Sequence, residues 1–108
     1  MEIFQWQPSA ELQVDNVVQT VVSVTTTSAV VLAANPERKY VLFRAQGAGT
    51  NRIYLKFAAV AATVTNAYEL LDAAEREEGV GTGKMIYTGE VRAITNSGSK
   101  DLYVEERY

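Results

Sequence analysis

The stretch Lys39–Phe57, KYVLFRAQGAGTNRIYLKF, carries the fold in its two ends. Val41, Phe43 and Ala45 alternate with Tyr40, Leu42 and Arg44, and Ile53, Leu55 and Phe57 alternate with Arg52, Tyr54 and Lys56. A period of two puts successive side chains on opposite faces of a strand, so each run offers one face to a core and one to solvent. Gly47-Ala48-Gly49-Thr50-Asn51 makes a turn between them. Two alternating runs joined by such a glycine-containing loop predict a β-hairpin. On that hairpin the outward residues Tyr40, Arg44, Arg52, Tyr54 and Lys56 would form one mixed aromatic and basic patch. Tyr and Arg are enriched at protein interfaces, and the same pair stacks on single-stranded nucleic acid. The net charge of −3 favours a protein partner over nucleic acid. A surface of snorkelling side chains with no partner is the plain alternative.

Working outward, residues 17–34 are strand material with almost no charge, and Thr25-Thr26-Thr27-Ser28 breaks them into two strands. Asn35-Pro36 is a turn, because proline presets φ and pushes the residue before it out of the helical region. Ala58–Thr65 is small and apolar, a loop or short strand. Asn66–Glu78 reads two ways: one helix of about three turns ending at Gly79, or a short strand at Tyr68–Leu71 followed by an acidic loop. The strand-plus-loop reading is taken here. Gly79-Val80-Gly81-Thr82-Gly83 is a flexible connection. Met85–Thr88 and Glu90–Thr95 read as one long strand bent at Gly89, and Asp101–Glu106 closes the chain with Leu102 and Val104 inward, Tyr103 and Glu105 outward.

The expectation is one all-β domain, a small β-sandwich or barrel of jelly-roll type over residues 17–108, preceded by an extended arm at residues 1–16. Val, Ile and Thr supply 28 of the 108 residues, which agrees. The arm shows no sustained period. It holds Ile3, Phe4 and Trp6, which fit either a first core strand or an anchor on a neighbouring subunit.

Composition excludes much chemistry. With no His and no Cys, the chain has no Ser-His-Asp or Cys-His nucleophile site, no thiolate or imidazole zinc site and no disulfide. No run approaches the ~20 apolar residues of a membrane span, and the N-terminus lacks the layout of a signal peptide. Gly79–Lys84 lacks the phosphate-loop spacing, since Met85 follows Lys84. Glu69, Asp72, Glu75, Glu77 and Glu78 lack a calcium-loop pattern and read as a solvated acidic segment. No cofactor, metal or catalytic residue is expected.

Several segments resemble small virion structural proteins of tailed bacteriophages. They are Val22–Val24 with Thr25-Thr26-Thr27-Ser28; Val31-Leu32-Ala33-Ala34-Asn35-Pro36-x-Arg38-x-Tyr40; Ile53-Tyr54-Leu55; Ile86-Tyr87-Thr88-Gly89-Glu90-Val91-Arg92-Ala93-Ile94; and Leu102-Tyr103-Val104-Glu105. Together they span about residues 20–106. In physical terms Leu32 and Tyr40 would flank the Asn35-Pro36 turn as core residues, Arg38 would fix that turn by bonding its carbonyls, and Gly89 would allow a bend. The resemblance implies a non-enzymatic subunit on the capsid surface, a decoration (cement) protein that bridges copies of the major capsid protein. It also implies a homo-oligomer, a trimer by preference, with neither nucleic acid nor membrane as partner. A tail, fibre-base or host-attachment component is the alternative role. The contacts expected are Ile3, Phe4, Trp6, Tyr40, Arg44, Arg52 and Tyr54. The acidic Asp72–Glu78 segment and the aromatic arm depart from the family pattern.

Overall fold

The computed structural model describes residues 14–47, 50–71 and 73–108. The contacts expected of Ile3, Phe4 and Trp6 therefore lie outside the described residues. Among the described residues eight strands follow one another without a helix: β1 Val17–Val24, β2 Ala29–Leu32, β3 Tyr40–Ala45, β4 Ile53–Lys56, β5 Tyr68–Leu70, β6 Glu75–Gly79, β7 Val91–Thr95 and β8 Lys100–Arg107. They form two four-stranded sheets, in the orders β1-β8-β3-β6 and β2-β7-β4-β5, with every pairing antiparallel.

In this order β1 pairs with β8, β2 with β7, β3 with β6 and β4 with β5. The chain is thus one long hairpin whose two arms, β1–β4 and β5–β8, wind together into a two-sheet sandwich. That is the jelly-roll arrangement. Alternation explains the core. Val41, Phe43 and Ala45 of β3 and Leu102 and Val104 of β8 face Ile53 and Leu55 of β4 and Val91 and Ala93 of β7, all nearly inaccessible. Phe43, Phe57 and Tyr87 stack edge to face at centroid separations of 5.9 and 5.8 Å, which closes one end of the layer.

Three local expectations are corrected. β3 and β4 are not a hairpin, since they lie in different sheets. Alternation demands only that each strand bury one face, and two strands meet that demand equally well side by side or facing each other. Residues 75–79 are a strand rather than an acidic loop, because β3 offers its free edge to them from Tyr40 to Arg44. The helix reading of residues 66–78 fails with it, while the short strand at Tyr68 stands. Met85–Thr88 is not part of a strand, and β7 starts only at Val91. Gly89 lies beneath the Tyr87 ring, where an added Cβ would sit 2.3 Å from the phenol oxygen.

The turn at residues 79–84 is tight. Gly79 adopts φ of 105°, and a Cβ there would lie 2.1 Å from the Lys39 carbonyl oxygen. Val14–Asn16 run up to β1 beside the C-terminus, with the Asp15 and Asn16 N–H groups both donating to the Tyr108 carbonyl.

Candidate functional site

Register builds the outer face of the first sheet row by row. Val17, Arg107, Tyr40 and Gly79 lie across from one another, then Gln19, Glu105, Leu42 and Glu77, then Val21, Tyr103, Arg44 and Glu75. Their side chains interlock. The Tyr40 hydroxyl donates to Glu77 Oε2 at 2.6 Å, and the Arg107 guanidinium carbon sits 4.4 Å from the Tyr40 ring centre. Arg107 Nε donates to Glu105 Oε2 at 2.7 Å, while Glu105 Oε1 accepts from Gln19 at 3.1 Å and from the Tyr103 hydroxyl at 2.8 Å. Arg44 stacks over Tyr103 at 4.7 Å and pairs with Glu75 at 3.6 Å.

The electrostatics follow from these contacts. Glu105 is nearly buried, yet the bonds from Gln19, Tyr103 and Arg107 hold its carboxyl below the usual value near 4.5. Tyr40 is pushed up to about 12 by burial and by the Glu77 carboxylate that accepts its proton. The bond to Glu105 raises Tyr103 as well. Both phenols thus remain neutral donors at physiological pH. The face presents aromatic edges and guanidinium planes, with Tyr40, Tyr103 and Arg107 tied by hydrogen bonds and Arg44 about half exposed over the Tyr103 ring.

Of the expected contact residues, Tyr40 and Arg44 belong to this face. Arg52 and Tyr54 do not. They lie on the opposite outer face, where Tyr54 opposes Ile94 and Glu69, and Arg52 sits 3.7 Å from Glu69. The single patch expected from the hairpin is therefore two patches, one on each side of the sandwich. Tyr40 is a half-buried residue of the outer face rather than core. Arg107 and Glu77 were not anticipated. The alternation of β8 puts Arg107 beside Tyr103 and Glu105, but nothing local in the sequence says that β8 neighbours β3.

Arg38 bonds carbonyls, though not those of Asn35 or Pro36: Ala33 lies two residues before the turn, and Tyr87 and Gly89 belong to a distant segment. Its side chain is fully buried, with Nη2 donating to the Ala33 carbonyl at 2.5 Å, Nη1 to those of Tyr87 and Gly89 at 2.8 and 3.1 Å, and Nε to Glu106 Oε2 at 2.7 Å. Asn35 adds its own bond to Glu106, and its N–H reaches the Thr88 carbonyl. Three segments far apart in sequence meet at this one guanidinium. A second inward arginine, Arg76, lies between the rings of Phe57 and Tyr68 at 4.7 and 4.5 Å and bonds Glu78, which in turn accepts the Tyr87 N–H. These two arginines tie the fold together.

The acidic residues are dispersed. Glu69 faces Arg52 on one sheet, Glu75 and Glu77 meet Arg44 and Tyr40 on the other, and Glu78 points inward. Among the described residues no three carboxylates come together as a metal site. A shallow pocket of roughly 370 Å³ opens between the Pro36–Lys39 turn and the Gly79–Ile86 segment.

No family model matches the sequence, and no curated protein matches it. Among solved structures, the chain is similar to one from work on Bacillus endospore appendages, described there as forming a novel family of disulfide-linked pili. The two share 16% identity over 97% of each chain, with a TM-score of 0.47.

Proposed function

We propose that this chain is a non-enzymatic structural protein of a tailed-phage virion, a decoration protein that adheres to the capsid surface and bridges neighbouring capsid subunits. The observation that carries the reading is the outer face of the first sheet. Tyr40, Tyr103, Arg44, Arg107 and Glu105 are locked together there by hydrogen bonds and ring stacking. Tyr and Arg side chains tied to one another on an outer face suit adhesion, and the absence of His and Cys removes the Ser-His-Asp and Cys-His nucleophile sites.

Two further points support it. The jelly roll is a fold used by viral capsid domains, a fold-level analogy only. Two motifs that carry the phage resemblance, Asn35-Pro36-x-Arg38 and Tyr87-Thr88-Gly89, converge on the Arg38 guanidinium, together with Glu106, the residue after the third, Leu102-Tyr103-Val104-Glu105. Their joint occurrence then has a physical cause, since losing one strands the others' polar groups.

The test is co-sedimentation of the purified protein with emptied phage heads, with isolated tails and with host cell envelopes. Binding to heads that falls at least about thirtyfold in Arg44→Ala supports the reading. Binding to tails or envelopes alone transfers the protein to the attachment role, and binding to none of the three overturns both.

A further inference from the structure

The two open sides of the sandwich differ in kind. On one side the edge strands are β6, with charge at Glu75, Arg76, Glu77 and Glu78, and the three-residue β5, which carries Glu69. Short, charged edges resist pairing with another chain. On the other side the edges are β1, VVQTVVSV, and β2, AVVL, with no charged residue in either. Val17, Val18, Val21 and Val30 stand 56, 41, 65 and 44% exposed there. β1 runs for eight residues, about 27 Å, with β8 on one side and, among the described residues, no strand on the other.

We propose that β1 pairs antiparallel with β1 of a second copy across a two-fold axis, joining the two first sheets into one sheet of eight strands. Charge selects this occupant. An edge of Val, Gln, Thr and Ser has no ion pair to offer a charged partner, and it meets its own copy without like-charge contact. Side-chain direction agrees. Val17, Gln19, Val21 and Ser23 share the outer face, being opposite Arg107, Glu105, Tyr103 and Asp101 of β8. A two-fold axis at Val21 sets Val21 against its own copy, Gln19 against Ser23 and Thr20 against Val22, so outer faces outer and inner faces inner. The pairing leaves Tyr40 and Arg44, two strands away, free for the capsid. It goes beyond capsid attachment and replaces the three-fold assembly that the resemblance implies with a two-fold one.

Sedimentation equilibrium of the full chain across a concentration series tests it, with amide exchange of residues 17–24 followed at both ends of the series. The expected result is a monomer–dimer equilibrium in which β1 amides exchange more slowly at high concentration. Val21→Lys sets two ammonium groups against each other and should weaken the dimer at least about thirtyfold. Val21→Thr, which keeps the β-branched shape without charge, and Val60→Lys, an exposed valine outside every strand, should dimerise nearly as the wild type does. Equal urea midpoints for the variants establish that each is folded. A monomer at every concentration, a trimer, or a dimer indifferent to Val21→Lys would overturn the proposal. Head binding measured on the monomeric Val21→Lys protein reports on capsid attachment separately.

Discussion

Arg38→Ala removes the group on which three segments converge, and its cost can be worked from the contacts. The side chain is fully buried, and its ion-pair partner Glu106 is only 12% exposed. Removing one member of a buried pair leaves the other uncompensated, at about 3–5 kcal/mol. Three carbonyls, of Ala33, Tyr87 and Gly89, lose a donor worth about 1 kcal/mol each, which water entering the vacated space largely returns. Glu106 keeps its bond from Asn35. The expected loss is about 4 kcal/mol, a large share of the roughly 5–15 kcal/mol that holds a domain of this kind together. With an m-value of about 2 kcal/mol/M, the urea midpoint should fall by about 2 M. Arg38→Lys keeps the charge, but one ammonium cannot reach acceptors arranged for a fork, so about half of the loss should remain. A double-mutant cycle with Glu106→Gln should return a coupling of about 1–3 kcal/mol. If Arg38→Ala unfolds within about 0.5 kcal/mol of wild type, as a surface substitution does, the knot is not a structural centre and the reasoning fails.

Gly79→Ala forces a Cβ against the Lys39 carbonyl at a positive φ and should cost more than about 2 kcal/mol by urea unfolding, whereas Gly81→Ala, at φ of 86° in open space, should cost about 1 kcal/mol. Tyrosinate absorbance during alkaline titration should show Tyr40 still protonated above pH 10, with Glu77→Gln bringing its ionisation back toward the usual range. Because the folded pKa is the higher one, this phenol's contribution is whole below about pH 10 and is lost as the pH rises toward about 12. Glu105 has the opposite sign: its folded pKa is depressed, so its contribution is present above the usual value near 4.5 and disappears as the pH falls through the folded value. The stability gap between wild type and Glu105→Gln should accordingly narrow on acidification, and a gap unchanged by pH would refute the bonding described for Glu105.

The alternation in Lys39–Ala45, Arg52–Phe57 and Asp101–Glu106 made the all-β class legible, because burial of one strand face is a local demand that local sequence must meet. Partnership between strands was not legible. The choice between a β3–β4 hairpin and a crossing of the sandwich rests on long-range competition, in which β8 and β6 take both edges of β3. The same cause divided the expected patch, keeping Tyr40 and Arg44 on one face and sending Arg52 and Tyr54 to the other. Acidic composition concealed β6, since Glu75 points outward to Arg44 and Glu77 to the Tyr40 hydroxyl, while Arg76 and Glu78 pair within the sandwich. That Arg38 bonds carbonyls could be anticipated from its place beside the Asn35-Pro36 turn, but two of the three, Tyr87 and Gly89, and the Glu106 carboxylate come from distant segments that local sequence does not point to.

The measurement that bears most directly on the proposal is cryo-electron microscopy of phage particles purified from the source of this chain, with the eight-stranded sandwich fitted to the map. The account predicts the sandwich ordered on the outside of the capsid shell, across a boundary between capsid subunits, with the Tyr40–Arg44 face against the shell. Density for it at the tail or a fibre base, or a particle without it, would contradict that claim.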